Sequence, residues 1–158
     1  MEKPNKMFFE DIRVGDNFRT VGRTITETDI VNYAGLSGDY NLIHTNAEHA
    51  KNSIAGQRMA HGMLVMGMSH GLINRTSYYG SLVEAIAAFA SIEQHKFKKP
   101  VLIGDTIYVE VEIAEASDPR PESDNAKVVL WRRILNQRDE VVQEGTYSVL
   151  VRKRGSGN

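Results

Sequence analysis

The run from Met63 to about Ile73 constrains the fold of this chain more than any other stretch. It is almost entirely apolar on every side, which is typical of a helix that other elements cover on most of its surface. Gly62, Gly67 and Gly71 are unfavourable in a helix, each by roughly 1 kcal/mol relative to alanine. The pattern therefore predicts a buried helix against which a sheet packs closely.

The second half of the chain changes to a period of two residues. From Thr106 to Ile113 apolar and polar residues alternate, which predicts a strand with one buried face. Ala85–Phe97 is the predicted strand before it, and Lys127–Leu135 and Glu140–Val151 form a predicted hairpin after it. With an earlier strand in Asn17–Ile25, these favour an α+β fold in which a curved antiparallel sheet wraps around the helix. Free sheet edges lead us to expect a homodimer or a dimer-based oligomer.

Length and composition limit the class of protein. The chain has 158 residues, no cysteine and a formal net charge of -1. We predict a single domain over residues 1–158, with a core at about 8–152 and a frayed C-terminal tail. The balanced charge argues against nucleic acid and membrane as partners, and the absence of cysteine excludes disulfides and a thiol nucleophile. Without a visible signal peptide or membrane span, we expect a soluble, cytoplasmic protein.

The segment between the first helix and the central helix carries the chemistry. An apolar-periodic helix ends near Gly38, and the residues that follow include a carboxylate, an amide and an imidazole, on Asp39, Asn41 and His44. His61 and Gly62 then open the central helix. An acid, a base and a helix N-terminus close in sequence indicate proton transfer beside a stabilised oxyanion.

These residues resemble one family. Tyr33-Ala-Gly-Leu-Ser-Gly-Asp-Tyr-Asn-Leu-Ile-His44 closely resembles the hydratase signature of the MaoC-like, (R)-specific enoyl-CoA hydratases, which have the hot-dog fold. His61-Gly-Met-Leu64 matches the start of their central helix, and Phe97–Asp105 is similar to their later strand–turn–strand segment. The likeness runs from about Phe8 to Arg152, which is nearly the whole chain.

The chain departs from the family pattern at a few positions. Leu42 stands where the family usually has proline, so the loop backbone is expected to be less rigid. Asn46 replaces a frequent aspartate, and both are good helix caps. His70 stands where the family tends towards a hydroxyl or a small residue, so we expect a narrower acyl tunnel. That change bears on chain length rather than on the reaction.

The resemblance implies that the protein hydrates 2-enoyl thioesters, interconverting trans-2-enoyl-CoA and (R)-3-hydroxyacyl-CoA. Asp39 and His44 would form the acid–base pair, and which of them is the acid stays open. The backbone N–H of Gly62 would hold the enolate oxygen, and Asn41 would support the loop. Three residues at the start of the central helix are further candidates for substrate contact: His61, Met63 and Leu64.

Each assignment has a purely structural alternative. Asp39 alone would be read as a turn cap, and His44 alone as an interior histidine. Asn41 fits an ordinary Asx turn as well as a supporting role. His61 is more simply a packed or capping residue. Gly62 could be a packing glycine, although that role is expected to suit Gly67 and Gly71 better.

The ligands and the function also have alternatives. No cofactor or metal site is predicted, since the other histidines lack ligand spacing. Coenzyme A is the expected carrier of the acyl group, with acyl carrier protein as the alternative. A group of basic residues could meet the phosphates of coenzyme A or form a solvated face: Arg58, Arg75, Lys96, Lys98 and Lys99. A hot-dog thioesterase and a non-catalytic acyl-binding subunit are the competing functions.

Overall fold

A computed structural model describes residues 6–155 of the chain. This part contains six strands and five α-helices, after a short 3₁₀ turn at Phe9–Asp11. The helices are α1 (Glu27–Ser37), α2 (Leu42–Thr45), α3 (Ala47–Ala50), α4 (Gly62–Asn74) and α5 (Ser77–Leu82). The strands are β1 (Asn17–Arg19), β2 (Arg23–Thr24), β3 (Ile86–Phe97), β4 (Thr106–Ser117), β5 (Asn125–Leu135) and β6 (Val141–Arg152).

The strands form an antiparallel sheet in the order β1-β4-β5-β6-β3, with β2 also paired to β4. The predicted alternation in β4 is confirmed, because its apolar residues Ile107, Val109, Val111 and Ile113 are all buried. The expected first strand is broken at Gly22, where an added Cβ would lie 2.7 Å from the ring of Tyr108. β3 lies at the end of the sheet and pairs only with β6 among the described strands.

The central helix α4 is buried on one side rather than all round. Its buried residues contact the sheet and share the main hydrophobic core: Leu64, Val65, Met68, Leu72 and Ile73. The expectation that Gly67 and Gly71 permit a close sheet contact is wrong, because an added Cβ at either would meet no atom within 4 Å. The crowded glycine is Gly62, where a Cβ would lie 2.6 Å from the ring of Phe97.

Two short helices lie where the sequence predicted irregular chain. α2 is a single turn within the segment that carries Asn41 and His44. α5 occupies most of the predicted loop at 75–81, where its buried Tyr78, Tyr79 and Leu82 pack into the core. Both helices have weak local signals, since short helices depend on capping and tertiary packing more than on propensity.

The ends of the chain bear on two earlier predictions. Residues 1–5, which carried the prediction about a signal peptide, and residues 156–158 of the frayed tail lie outside the described residues. Within the described tail, the backbone N–H of Arg154 donates to the carboxylate of Glu10 at 3.0 Å. In the described range, none of the helices combines the length and the apolar character that crossing a membrane requires.

Candidate active site

The loop after α1 links the carboxylate of Asp39 to the helix that carries His44. α1 ends at Gly38, which has φ 76° and so needs the conformational freedom of glycine. The backbone N–H of Asn41 donates to Asp39 Oδ1 at 3.2 Å, and the side-chain oxygen of Asn41 accepts the N–H of Ile43 at 3.2 Å. Asn41 therefore holds the exposed Asp39 and also caps α2. The Asx-turn alternative and the supporting role describe one arrangement.

His44 is held in one tautomer by a backbone carbonyl. Its side chain is only 7% exposed, and Nδ1 lies 2.8 Å from the carbonyl oxygen of Met59. Because a carbonyl oxygen can only accept, Nδ1 carries the proton and donates it. Nε2 of the neutral ring is then left with its lone pair, which is the state that a general base needs.

His61 is packed directly against His44. The ring centroids of His44 and His61 lie 3.9 Å apart, with an interplanar angle of 31°. The ring of Tyr33 also packs against His61, with the two centroids 4.9 Å apart. His61 Nε2 donates to the backbone carbonyl of Asp39 at 2.9 Å. Its side chain makes no capping bond to α4. His61 thus connects the start of the central helix to both members of the predicted pair.

Burial keeps His61 in its neutral form. Removal from water lowers the pKa of His61, and a positive charge on the nearby His44 would lower it further, while the hydrogen bond to Asp39 opposes the shift. Its Nδ1 atom is buried and has no hydrogen-bond partner within residues 6–155. A neutral His61 adds no positive charge beside His44, so the two rings can stack.

One ligand atom from each of Asp39, His44 and His61 lies within 4.8 Å of the other two. Such a trio could by distance hold a metal ion. However, His44 Nδ1 and His61 Nε2 already donate to carbonyls, and the two rings pack face against face, with centroids 3.9 Å apart and an interplanar angle of 31°. That arrangement suits a tetrahedral ion poorly. The same spacing allows a single water molecule to contact both Asp39 and His44.

Gly62 begins the central helix beside His44. The N–H of a first helical residue has no acceptor inside the helix, and none of the described residues accepts this one. It also lies at the positive end of the helix dipole. The carbonyl of Gly62 accepts from Gln143 Nε2 at 3.0 Å. Gly62 and His44 line the same cleft of about 320 Å³, together with Phe97 and Gln143.

Other predicted substrate contacts divide between the surface and the core. Leu64 lies in the hydrophobic core, away from the cleft, whereas Met63 is exposed. Three of the basic residues considered for phosphate binding are already paired with carboxylates, Lys98 with Glu144, Lys99 with Glu140 and Arg58 with Glu27. Lys98 and Lys99 still line the cleft that contains Gly62.

Sequence reasoning missed a second pocket along the exposed side of α4, which we call the distal pocket. It has a volume of about 430 Å³, and its walls include Tyr33, Met63, His70, Phe89, Ile92 and Arg132. The signal for Arg132 was present in the sequence. It falls on the apolar face of β5, in register with the buried Val128, Leu130 and Ile134.

The fold and the site together define a class of protein. A sheet wrapped around one helix, with a carboxylate and an imidazole close to the helix N-terminus, is the arrangement of a hot-dog domain. The model of the MaoC like domain matches residues 10–130. The chain therefore belongs to the MaoC-like family, as its resemblance implied.

Several relatives extend this result. The chain is 34% identical to the (R)-specific enoyl-CoA hydratase of Rhodospirillum rubrum, covering 94% of each protein. It is 30% identical to the 3-hydroxybutyryl-CoA dehydratase of Methylorubrum extorquens, covering 94% of this chain and 86% of that one. It is 34% identical to the Protein MaoC of Klebsiella aerogenes, of which it spans only 37%, while the match covers 81% of this chain.

Solved structures agree on the fold. The monoamine oxidase regulatory protein from Archaeoglobus superposes with a TM-score of 0.88 at 36% identity, covering 94% of this chain and 95% of that one. A double hot-dog protein from Mycobacterium tuberculosis superposes with a TM-score of 0.79 at 16% identity, covering 98% of this chain and 46% of that one. The predicted hot-dog fold is thereby confirmed.

Proposed function

We propose that this protein hydrates trans-2-enoyl thioesters of coenzyme A and dehydrates the (R)-3-hydroxyacyl products. The observation that carries the proposal is the spacing of Asp39 and His44, of which one ligand atom each lies within 4.8 Å of the other. The N–H of Gly62, at the start of the neighbouring central helix, has no acceptor among residues 6–155. The names of the Rhodospirillum and Methylorubrum relatives support the reaction, and the first of them supports the stereochemistry. The reaction as proposed uses only side chains, backbone and water.

In the proposed mechanism, Asp39 and His44 grip one water molecule. One member of the pair removes a proton from the water as its oxygen bonds to C3 of the enoyl group. The π electrons of the double bond move towards the thioester, whose oxygen becomes an enolate. A proton from the pair then adds to C2 and the thioester carbonyl re-forms. The net change is one water added across the double bond.

The proton transfers and the stabilisation of the enolate require different groups. His44 offers a lone pair at Nε2, because its Nδ1 proton is committed to Met59. The carboxylate of the exposed Asp39 can accept further hydrogen bonds, since within the described structure its Oδ1 accepts only the backbone N–H of Asn41. The helix dipole and the N–H of Gly62 stabilise the enolate oxygen. The proton moves within the pair, which titrates as a unit.

A thioesterase would use the same pocket differently. It would direct water or a carboxylate to the thioester carbonyl at C1 and release a free thiol. An acyl-binding subunit would leave the substrate unchanged. Incubation with crotonyl-CoA tests all three functions at once. Hydration predicts loss of enoyl absorbance without thiol release, and any other result contradicts the proposal.

We also propose that the protein is a cytoplasmic homodimer that joins β3 edges. β3 pairs only with β6 among the described strands, so its outer edge carries unpaired backbone groups. Phe89 and Ile92 on this strand are exposed, although both are large and apolar. They also line the distal pocket, so a partner at this edge would cover it and extend its walls.

A further inference from the structure

The distal pocket begins next to the residues of the candidate active site. Met63, in its wall, directly follows Gly62, and Tyr33 lies between the pocket and the ring of His61, 4.9 Å away. The pocket runs along α4 as far as His70, eight residues beyond Gly62, a rise of about 12 Å along the helix. Helical side chains lean towards the N-terminus of their helix, so the side chain of His70 points back towards Gly62 and shortens the pocket. The acyl chain of a thioester whose carbonyl oxygen accepts from the N–H of Gly62 would extend along α4 into the pocket.

The lining of the pocket is mostly apolar, and its charged residue is Arg132, which enters from β5. Arg132 is only 1% exposed, and none of the described carboxylates forms an ion pair with it. One guanidinium nitrogen donates to Ser69 Oγ at 3.2 Å, and the guanidinium lies 5.0 Å from the ring centroid of Tyr147. Its Nε has no partner within residues 6–155. Arg132 is therefore a buried cation without a counter-charge in the described part of the chain.

Two neighbouring groups share this lack of partners. The hydroxyl of Tyr147 and Nδ1 of His70 are both buried without a hydrogen bond inside the described range. Their rings lie edge to face, with centroids 6.1 Å apart. Burial lowers the pKa of His70, and the charge of Arg132 lowers it further, so His70 is neutral near pH 7.

These groups are complementary to an anion. Leaving a guanidinium in a dry site without a counter-charge is unfavourable, and the Tyr147 ring offsets only part of that cost. A carboxylate would accept from Arg132 through charge-assisted hydrogen bonds, which are stronger than neutral ones. The planar guanidinium is suited to a carboxylate in particular. The apolar walls around it would hold methylene groups.

We infer that the distal pocket binds the free carboxylate of a dicarboxylic enoyl thioester, with Arg132 as the residue that determines this specificity. The inference rests on the proposed hydratase function, because it assigns the far end of the same acyl group. Arg132 does not contact the reacting carbons. His70 forms the polar end of the pocket together with Arg132.

The test compares acyl groups that differ only at their far end. Hydration of trans-2-hexenedioyl-CoA is measured against that of trans-2-hexenoyl-CoA. The corresponding five- and eight-carbon pairs place the terminal carboxylate at other depths in the pocket. Calorimetry with the saturated adipoyl-CoA and hexanoyl-CoA measures binding without turnover. For the wild-type protein, we expect the carboxylate-ended ligand to be preferred by about tenfold or more in both kcat/KM and Kd.

Arg132→Met retains much of the side-chain volume and removes the charge, so it should abolish or reverse the preference while hexenoyl-CoA is still hydrated. Arg133→Met is the matched control, because Arg133 is adjacent in sequence but pairs with Glu110 on the exposed side of the sheet. It should leave the preference unchanged. Arg132→Lys, which retains the charge and loses the planar geometry, should weaken the preference without reversing it.

The outcomes separate the two proposals. If no enoyl thioester is hydrated but adipoyl-CoA binds more tightly through Arg132, the hydratase function is wrong and the carboxylate pocket stands. If hexenoyl-CoA is hydrated and no carboxylate-ended ligand is preferred at any length, the inference is overturned. The wild-type comparison decides the question even if Arg132→Met fails to fold.

Discussion

The imidazole rings of His44 and His61 stack with their centroids 3.9 Å apart, and each ring donates one N–H to a backbone carbonyl. The acceptor for His44 is Met59, and the acceptor for His61 is Asp39. The stack therefore ties the predicted base to the backbone of the predicted acid. We expect His61 to act as a positioning residue, because its other ring nitrogen, Nδ1, is buried and has no partner among residues 6–155.

The first prediction concerns the pair itself. Asp39→Asn should lower the rate of crotonyl-CoA hydration by about 10²-fold or more, since it removes the group that transfers the proton. The hydrogen bond from the N–H of Asn41 is kept, because the asparagine oxygen can accept it. The side chain of Asp39 is exposed, so the melting temperature should change little. His44→Gln should have a similar effect on the rate.

Glu48→Gln is a control for the loss of one carboxylate near the site. Glu48 is an exposed residue of α3 that pairs only with Lys51 among the described residues, so its replacement should not alter the rate. Turnover close to the wild-type value in either Asp39→Asn or His44→Gln, with the control behaving as expected, would show that the assigned pair is wrong.

The second prediction separates the two roles of Gly62. Gly62→Val should reduce kcat by about 10² or more, because the side chain obstructs the thioester beside the N–H donor. It should also destabilise the protein, since a Cβ at Gly62 would lie 2.6 Å from Phe97. The double variant Gly62→Val/Phe97→Ala removes that clash. Its melting temperature should recover while its kcat stays low.

Recovery of both quantities in the double variant would mean that Gly62 is needed for packing alone. Gly71→Ala serves as the control within the same helix. A Cβ at Gly71 meets no atom within 4 Å, so this substitution should raise the free energy of unfolding by up to about 1 kcal/mol through helix propensity. Its kcat should be unchanged, because Gly71 lies far along α4 from His44.

The third prediction concerns stability at acid pH. Burial lowers the pKa values of His61, His70 and His95 from 6.5 in the folded state. Below about pH 6.5 the unfolded chain therefore binds protons at these positions that the folded chain does not. The free energy of unfolding should fall as the pH drops from 6.5 towards the folded pKa values, and it should level off at higher pH.

Thermal melts between pH 7.5 and 5 measure this dependence. His95→Gln should make the slope shallower, because it removes one of the three groups whose pKa is lowered in the folded state. His49→Gln, at an exposed position of α3, is the matched control and should leave the slope unchanged. Melting temperatures that do not change across this range, or that rise on acidification, would contradict the burial of neutral histidines.

The fourth prediction concerns the proposed dimer. Light scattering at micromolar concentration should give twice the mass of the chain or a multiple of it. Ile92→Asp places a charge on the exposed face of β3 and should shift the protein towards the monomer. Val21→Asp introduces the same charge at another exposed apolar residue, near β1, and should not. A fully active wild-type monomer would rule out the dimer as the functional unit.

Much of the fold could be predicted from local patterns. The alternation in β4 and the apolar run of α4 reflect periodicities that a strand and a helix impose whatever surrounds them. The caps of α1 and α3 at Thr26 and Asn46 could also be predicted, because a capping side chain bonds to a backbone N–H only a few residues away. The family resemblance also places Asp39 and His44 in one loop.

What the sequence by itself determined is therefore the set of elements and the residues available for chemistry. Only the tertiary structure decided which glycine is crowded, because Gly62 meets Phe97 from a strand far along the chain. The same holds for the tautomer of His44, which Met59 sets, and for the isolated charge of Arg132. Burial and hydrogen-bond partners belong to pairs of distant segments, and no periodicity within one segment records them.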